Sequence, residues 1–196
     1  MIIITGGTGF IGSNLVNSIN NRYDVYISDW FKENIYLKNF DSKKLINPTR
    51  LVQFLNSNKN NISTIIHLGA ITSTTERNVN LILENNIFLS EYLWNFCCKN
   101  QLRFIYASSA ATYGNGSRGF EDNKDLKYYS RLEPLNIYGW SKHVFDKFVI
   151  KNVSKGNKPP QWVGLKFFNV YGPNEFHKGD MRSIVCKIYE KVIKEQ

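Results

Sequence analysis

The stretch Gly6-Gly7-Thr8-Gly9-Phe10-Ile11-Gly12 constrains the fold of this chain more than any other. It sits between a short β-branched run, Met1–Thr5, and a segment whose apolar residues Phe10, Ile11, Leu15, Val16 and Ile19 recur at helical spacing. Gly6 permits a tight turn, Gly9 lets the backbone approach a pyrophosphate with no Cβ in the way, and Gly12 lets helix and strand pack closely. The helix N-terminus adds N–H groups and a partial positive charge for a phosphate. In this strand–turn–helix setting the glycines predict a dinucleotide-binding βαβ unit.

The remainder continues the alternation. Val25–Ser28 reads as a strand, a helix begins at Pro48 and continues through Leu51, Val52 and Leu55, and Thr64–Leu68 is a buried-type strand. A long helix over Leu81–Cys98, a strand at Phe104–Ser108, a helix over Trp140–Val149, a strand at Trp162–Phe168 and a last helix over Met181–Lys194 follow. Such a series predicts an α/β protein with a Rossmann-type doubly wound parallel sheet, its ligand edge at the C-terminal ends of the strands. Gly114–Leu135, rich in Gly, Asn, Asp and Lys, reads for most of its length as a surface loop. No internal repeat or low-complexity tract is present.

Composition narrows the function classes. With 196 residues, 42% apolar and 21% charged, the chain has the bulk for a core. Mean hydropathy is -0.34, and no apolar run approaches ~20 residues, so a membrane span is excluded. The start lacks the basic and apolar regions of a signal peptide, so a cytoplasmic location is expected. A formal net charge of +9 comes from scattered Lys and Arg without a basic block; it suits a phosphate-rich small molecule rather than nucleic acid. Cys97, Cys98 and Cys186 form no CxxC pair and have no His at ligand spacing, so neither a metal site nor a disulfide framework is expected.

Two further features carry chemistry. Asp29 closes the second strand about 20 residues beyond the glycines, where an acid bonds the adenosine ribose hydroxyls and favours NAD. Lys32 and Arg50 could instead hold a 2′-phosphate, so the spacing leaves NAD and NADP both open. Tyr138-Gly-Trp-Ser-Lys142 puts a phenol and an ammonium one helical turn apart on one face. Ser109, at the end of the Phe104–Ser108 strand, comes to the same crevice. A free phenol is a poor base at neutral pH, and a neighbouring cation is expected to favour phenolate. Lowering its pKa by ~3 units takes roughly 4 kcal/mol of differential stabilisation.

The glycine turn, Ser109 and the Tyr138/Lys142 pair resemble the extended short-chain dehydrogenase/reductase family of nucleotide-sugar enzymes, the NAD-dependent epimerase/dehydratases. Longer strings sharpen the likeness: His67-Leu-Gly-Ala-Ile-Thr-Ser-Thr-Thr-Glu76, Ala107-Ser-Ser-Ala-Ala-Thr-Tyr-Gly114, Pro134-Leu-Asn-Ile-Tyr-Gly139, Phe168-Asn-Val-Tyr-Gly-Pro173 and Glu175-Phe-His-Lys-Gly-Asp-Met181. These are similar to members that epimerise an ADP-linked heptose at C6, a step in making lipopolysaccharide inner core.

The resemblance implies a tightly held NADP, a nucleotide-sugar substrate and a homo-oligomer. It implies Tyr138 as one acid/base, Lys142 as its partner and a cofactor ligand, Ser109 as the group polarising the substrate hydroxyl, and Lys178 as a second acid/base that also touches cofactor. Phe10, Ile11, Asp29, Trp30, Leu68, Gly69, Ala70, Ile71, Thr72, Asn85 and Val170 match cofactor contacts, and Asn169 and Asp180 substrate contacts. Trp30-Phe31 departs from the polar text usual after the ribose acid. It further implies a dinucleotide-binding domain over 1–172 and, from 173 to 196, only the start of a substrate-binding region. Rival readings are a nucleotide-sugar 4-epimerase or dehydratase on the same scaffold, and an inactive dinucleotide-binding fragment. The dehydratases carry an Asp-Glu pair after the site Ser/Thr, where this chain has Ala110-Ala111-Thr112.

Overall fold

Ile3 and Ile65 face one side of a central sheet while Ile4 and Ile66 face the other, because successive side chains of a strand point in opposite directions. The computed structural model describes residues 1–30, 36–175, 179 and 182–194. Its strands are β1 (Ile2–Thr5), β2 (Val25–Ser28), β3 (Leu45–Ile46), β4 (Thr64–His67), β5 (Arg103–Ser109) and β6 (Trp162–Phe167). They form one parallel sheet in the order β3-β2-β1-β4-β5-β6, the doubly wound Rossmann arrangement. The two-residue β3 is too short to be read from periodicity.

Helices cover both faces. On one, α1 (Phe10–Ile19) lays Val16 against Ile4, Ile27 and Ile66. On the other, α2 (Leu51–Asn58), α4 (Leu89–Asn100) and α6 (Ile137–Ser154) bury Leu55, Leu93, Trp94, Phe145 and Val149 against Ile3, Ile65 and Phe104. Phe104 is the hub of this layer: Trp94 meets it edge-on at 5.9 Å between ring centroids, and Tyr106 stacks on it at the same distance. The last described helix, α7, spans Ile184–Lys194. No described helix is long and apolar enough to cross a membrane.

Two features depart from the sequence reading. The long helix is helical throughout but not uniform: α3 (Val79–Ile82) runs through a π-helical stretch, Leu83–Phe88, into α4. The π-stretch shifts the side-chain register by about one residue. Asn86, within it, is wholly buried. Second, Gly114–Leu135 is exposed loop for most of its length, as expected, but it also carries packed structure that the sequence reading did not anticipate. It contains α5 (Leu126–Tyr129), and Tyr128, Tyr129 and Leu132 pack with Tyr113 and Ile150 in a small core of their own. Its polar majority conceals those few aromatic anchors; Tyr128 is held by donating to Gly119 O and accepting from Glu121 N.

Phe104→Ala should destabilise the chain by about 3–5 kcal/mol, since a fully buried ring leaves a cavity lined by Trp94 and Tyr106. Urea unfolding of wild type and variant measures it.

Candidate active site

The sheet order reverses between β1 and β4, and there the two following loops meet backbone to backbone. Gly6 has φ +69, and a Cβ on it would lie 2.6 Å from Gly69 Cα. A Cβ on Gly12 would lie 2.1 Å from Gly6 O, which enforces the close helix–strand packing. Gly9 differs: the nearest atom to a Cβ there is Gly6 O, at 3.4 Å. Protein packing therefore leaves room for a Cβ at position 9. Gly9 precedes α1 with no side-chain cap and no acid in the first turn, leaving the helix end suited to a phosphate.

Asp29 follows β2 and is held by this loop. Its Oδ2 accepts from the Thr8 backbone N at 3.0 Å and from the Thr8 hydroxyl, and its Oδ1 accepts from Trp30 N at 2.8 Å. Trp30 itself is exposed. Thr8 went unremarked in the sequence because a residue among glycines shows no pattern of its own.

Beyond β4, residues 68–72 run along the same edge, Leu68 to Ile71 half-buried and Thr72 exposed. Ile71 is clamped at both backbone groups by Asn86, whose Oδ1 accepts from Ile71 N at 2.8 Å and whose Nδ2 donates to Ile71 O at 3.0 Å. Asn86 Nδ2 also donates to Ser141 Oγ on α6, at 3.0 Å. Asn85, the residue singled out from the resemblance, donates to Leu81 O within its own helix. Asn86 rather than its neighbour faces that loop, on the same buried side of the helix as Ile82 and Ser90.

His67, at the end of β4, completes a buried chain of hydroxyls. Ser90 Oγ donates to Asn86 O, so it accepts from His67 Nε2 at 2.8 Å, and His67 Nδ1 accepts from Thr5 Oγ1 at 2.7 Å. Thr5 Oγ1 in turn accepts from Gly69 N. The network is satisfied by a neutral imidazole. Burial, with the Lys142 charge as a smaller influence, pushes His67 down to about 3.

The phenol and ammonium of α6 face the end of β5. Asn136 caps this helix, its side chain accepting from Gly139 N at 2.8 Å. Tyr138 is hydrogen-bonded with Ser109. Lys142, 3% exposed, donates from Nζ to Ala107 O at 2.8 Å. Thus the structure brings Ser109, Tyr138 and Lys142 to one place. It differs from the expectation in one respect: burial, with the Asp146 charge as a smaller influence, raises the Tyr138 phenol against the opposing Ser109 bond, while the Lys142 ammonium donates to the β5 carbonyl. Burial likewise brings Lys142 down to about 8, against the opposing pull of Asp146.

Asn169 and Val170 follow β6 along the same edge, Asn169 exposed and Val170 half-buried. The next loop is fastened to α1 by Asn14, whose Nδ2 donates to Pro173 O at 2.9 Å. Lys178, Asp180 and Lys32 lie outside the described residues. Arg50 stands exposed at the start of α2, after β3.

The chain matches the NAD dependent epimerase/dehydratase family over residues 2–196. It is 41% identical to the ADP-L-glycero-D-manno-heptose-6-epimerase of Fusobacterium nucleatum, over 97% of this chain and 59% of that protein. Among solved structures, the ADP-L-glycero-D-manno-heptose-6-epimerase of Helicobacter pylori superposes with a TM-score of 0.75 at 30% identity, over 95% of this chain and 60% of that one. The UDP-glucuronic acid 4-epimerase of Bacillus cereus, solved in complex with NAD, does so at 0.67 and 27% identity, over 88% of this chain and 58% of that one. The chain thus spans about three fifths of the length of the relatives it matches.

The neutral His67 makes stability pH-dependent. Unfolded, it takes a proton below about 6.5; folded, it refuses one until about 3. Its contribution is therefore intact above 6.5 and falls as pH drops toward 3, by up to ~1.4 kcal/mol per pH unit. Urea unfolding across this range should show the wild type losing stability more steeply than His67→Gln. Equal slopes would mean that His67 is not held neutral.

Proposed function

The chain belongs to the NAD dependent epimerase/dehydratase family, and from that premise we propose that it serves the epimerisation of ADP-D-glycero-D-manno-heptose to ADP-L-glycero-D-manno-heptose at C6, with NADP as its dinucleotide. One observation carries the reading: Ser109, Tyr138 and Lys142 converge at the strand-end edge that also holds the glycine turn. The likeness to the Fusobacterium and Helicobacter enzymes supports the choice of substrate.

The open Gly9 position fits the pyrophosphate of a dinucleotide. Gly6 to Gly12 would hold its phosphates, with Phe10 and Ile11 supplying N–H groups. Asp29 and Trp30 would meet the adenosine ribose, and residues 68–72 with Val170 would line the nicotinamide side. NADP rather than NAD would draw on cations at the ribose end, and Arg50 and Lys32 are the candidates. When bound, the dinucleotide accepts a hydride from the sugar carbon and returns it.

The chain's own residues manage the protons. Tyr138 Oη takes the proton of the C6 hydroxyl while Ser109 Oγ steadies that oxygen. Lys142, protonated on one side of about 8 and neutral on the other, holds the ribose and places a positive charge behind the phenol. That charge opposes the burial that raises Tyr138. Inversion moves the oxygen to the other face of C6, out of reach of a single fixed acid, so a second proton donor is required there. Lys178 is our candidate, with Asn169 and Asp180 as substrate contacts.

Calorimetric titration with NADP and NAD tests the foundation. Gly9→Val should weaken binding at least tenfold, about 1.4 kcal/mol, with the fold intact because so little protein stands near its Cβ. Binding of neither dinucleotide by the wild type would refute the reading. The chemistry is tested on ADP-heptose with the chain alone and fused to the C-terminal two fifths of the Fusobacterium relative. Tyr138→Phe and Lys178→Met should each abolish net epimerisation while leaving dinucleotide affinity within a few-fold. A Lys178→Met protein that epimerises at a near-normal rate under saturating substrate would remove Lys178 from proton transfer.

A further inference from the structure

Behind the candidate residues lies a buried charge cluster that none of the motifs announced. Asp146 stands one helical turn beyond Lys142 on α6, as Lys142 stands one turn beyond Tyr138, and it is 2% exposed. Its Oδ1 accepts from Tyr106 Oη at 3.0 Å, and its Oδ2 accepts from Ser108 Oγ and from Lys166 Nζ, both at 2.6 Å. Tyr106 and Ser108 flank Ala107 on β5, whose carbonyl accepts from Lys142. The two side chains of α6 therefore grip the same three residues of β5.

Lys166 comes from β6 and reaches further. Besides Asp146 it donates to Thr112 Oγ1 at 2.7 Å, and its ammonium lies 4.9 Å from the Tyr113 ring centre and 5.1 Å from that of Tyr129. Thr112 Oγ1 donates onward to Ser109 O at 2.8 Å, while Ser109 Oγ accepts from Ala111 N at 3.1 Å. A continuous path thus runs from Lys166 through Thr112 to the turn that carries Ser109.

We propose that Asp146 and Lys166 are a positioning pair for the candidate active site, Asp146 balancing the buried Lys142 ammonium and Lys166 locking both Asp146 and the Ser109 turn. This rests on the functional reading above for its purpose, but its physical content is testable without dinucleotide or substrate. The groups facing the cluster are His67 from β4, Tyr106 from β5, Tyr113 from the turn after it, Tyr129 from α5, Lys166 from β6, and Tyr138, His143 and Lys147 from α6 itself. At neutral pH the two histidines are held uncharged by burial, and the four tyrosines are raised and likewise uncharged. Of the charged groups, Asp146 acts directly on Lys142, and Lys166 shares the Asp146 carboxylate.

Charge balance predicts opposite effects from the two partners, and mere loosening of the fold does not. The experiment follows the titration of Lys142 by NMR on the free chain with isotope-labelled lysine side chains, its signal assigned by its loss in Lys142→Met. Asp146→Asn should lower the Lys142 pKa by about one unit or more, because the balancing charge is gone while Lys166 remains. Lys166→Met should raise it, because a repelling cation is removed and Asp146 is left to Lys142. Lys166→Arg, which keeps the charge, should leave it near the wild-type value. Should Asp146→Asn fail to fold, the sign of the Lys166→Met shift decides. No shift in either folded variant, or shifts of the same sign, overturns the proposal. A chain that shows the opposed shifts but binds neither dinucleotide keeps the pair and refutes the function; one that binds dinucleotide without the shifts does the reverse.

Discussion

The contact on which this molecule depends is the backbone approach of Gly6 to Gly69, where the loops after β1 and β4 touch. A side chain at Gly6 could not be accommodated without moving one loop off the other, and a Cβ at Gly69 would lie 3.1 Å from the Thr5 hydroxyl and 3.2 Å from Gly6 N. Thr5 Oγ1 secures the junction, accepting from Gly69 N and donating to His67, which is anchored through Ser90 to Asn86. The Gly6–Gly12 turn and the residues 68–72 strip therefore share one wall, and whatever places one places the other. That wall lies at the reversal of strand order, where an open α/β sheet leaves its crevice.

Helix α6 supplies the other wall. Tyr138, Lys142 and Asp146 follow one another at steps of one turn, on a helix whose neighbouring positions Phe145 and Val149 belong to the core. Burying an ammonium and a carboxylate is costly unless each is bonded and balanced. Here the ammonium donates to Ala107 O, and the carboxylate accepts from three donors on two strands. The arrangement ties α6 to β5 and β6 by polar contacts that tolerate little displacement. The candidate site residues Tyr138 and Lys142 are thereby set on a rigid element rather than on a loop. Asn86 extends the same logic, joining residues 68–72 to α6 through Ser141.

All the strands except β3, and most helices, were legible because their signals are local. Four Ile and Val-type runs ending in Gly, Asp or Ser, and helices with regular apolar spacing, give period and boundary within a few residues of chain. The Gly6–Gly12 turn and the Tyr138–Lys142 spacing were legible for the same reason. The small aromatic core within 114–135 was not, since Tyr128, Tyr129 and Leu132 are too few among polar neighbours to make a periodic pattern. Nor was the π-stretch, because a change of helical register leaves composition unaltered.

The sequence by itself thus determined the class of sheet, the dinucleotide-type turn and the presence of a phenol and an ammonium on one helical face. Only the tertiary structure decided what each of those groups touches. It turned the Lys142 ammonium to a β5 carbonyl, selected Asn86 over Asn85, bound Asp29 to Thr8, and assembled Asp146 with Lys166 from positions 20 residues apart. The physical reason is range. Backbone preference and hydrophobic period act over one or two turns of chain, whereas hydrogen bonds and charge balance in a buried site act between whatever side chains the packed sheet brings within a few ångströms.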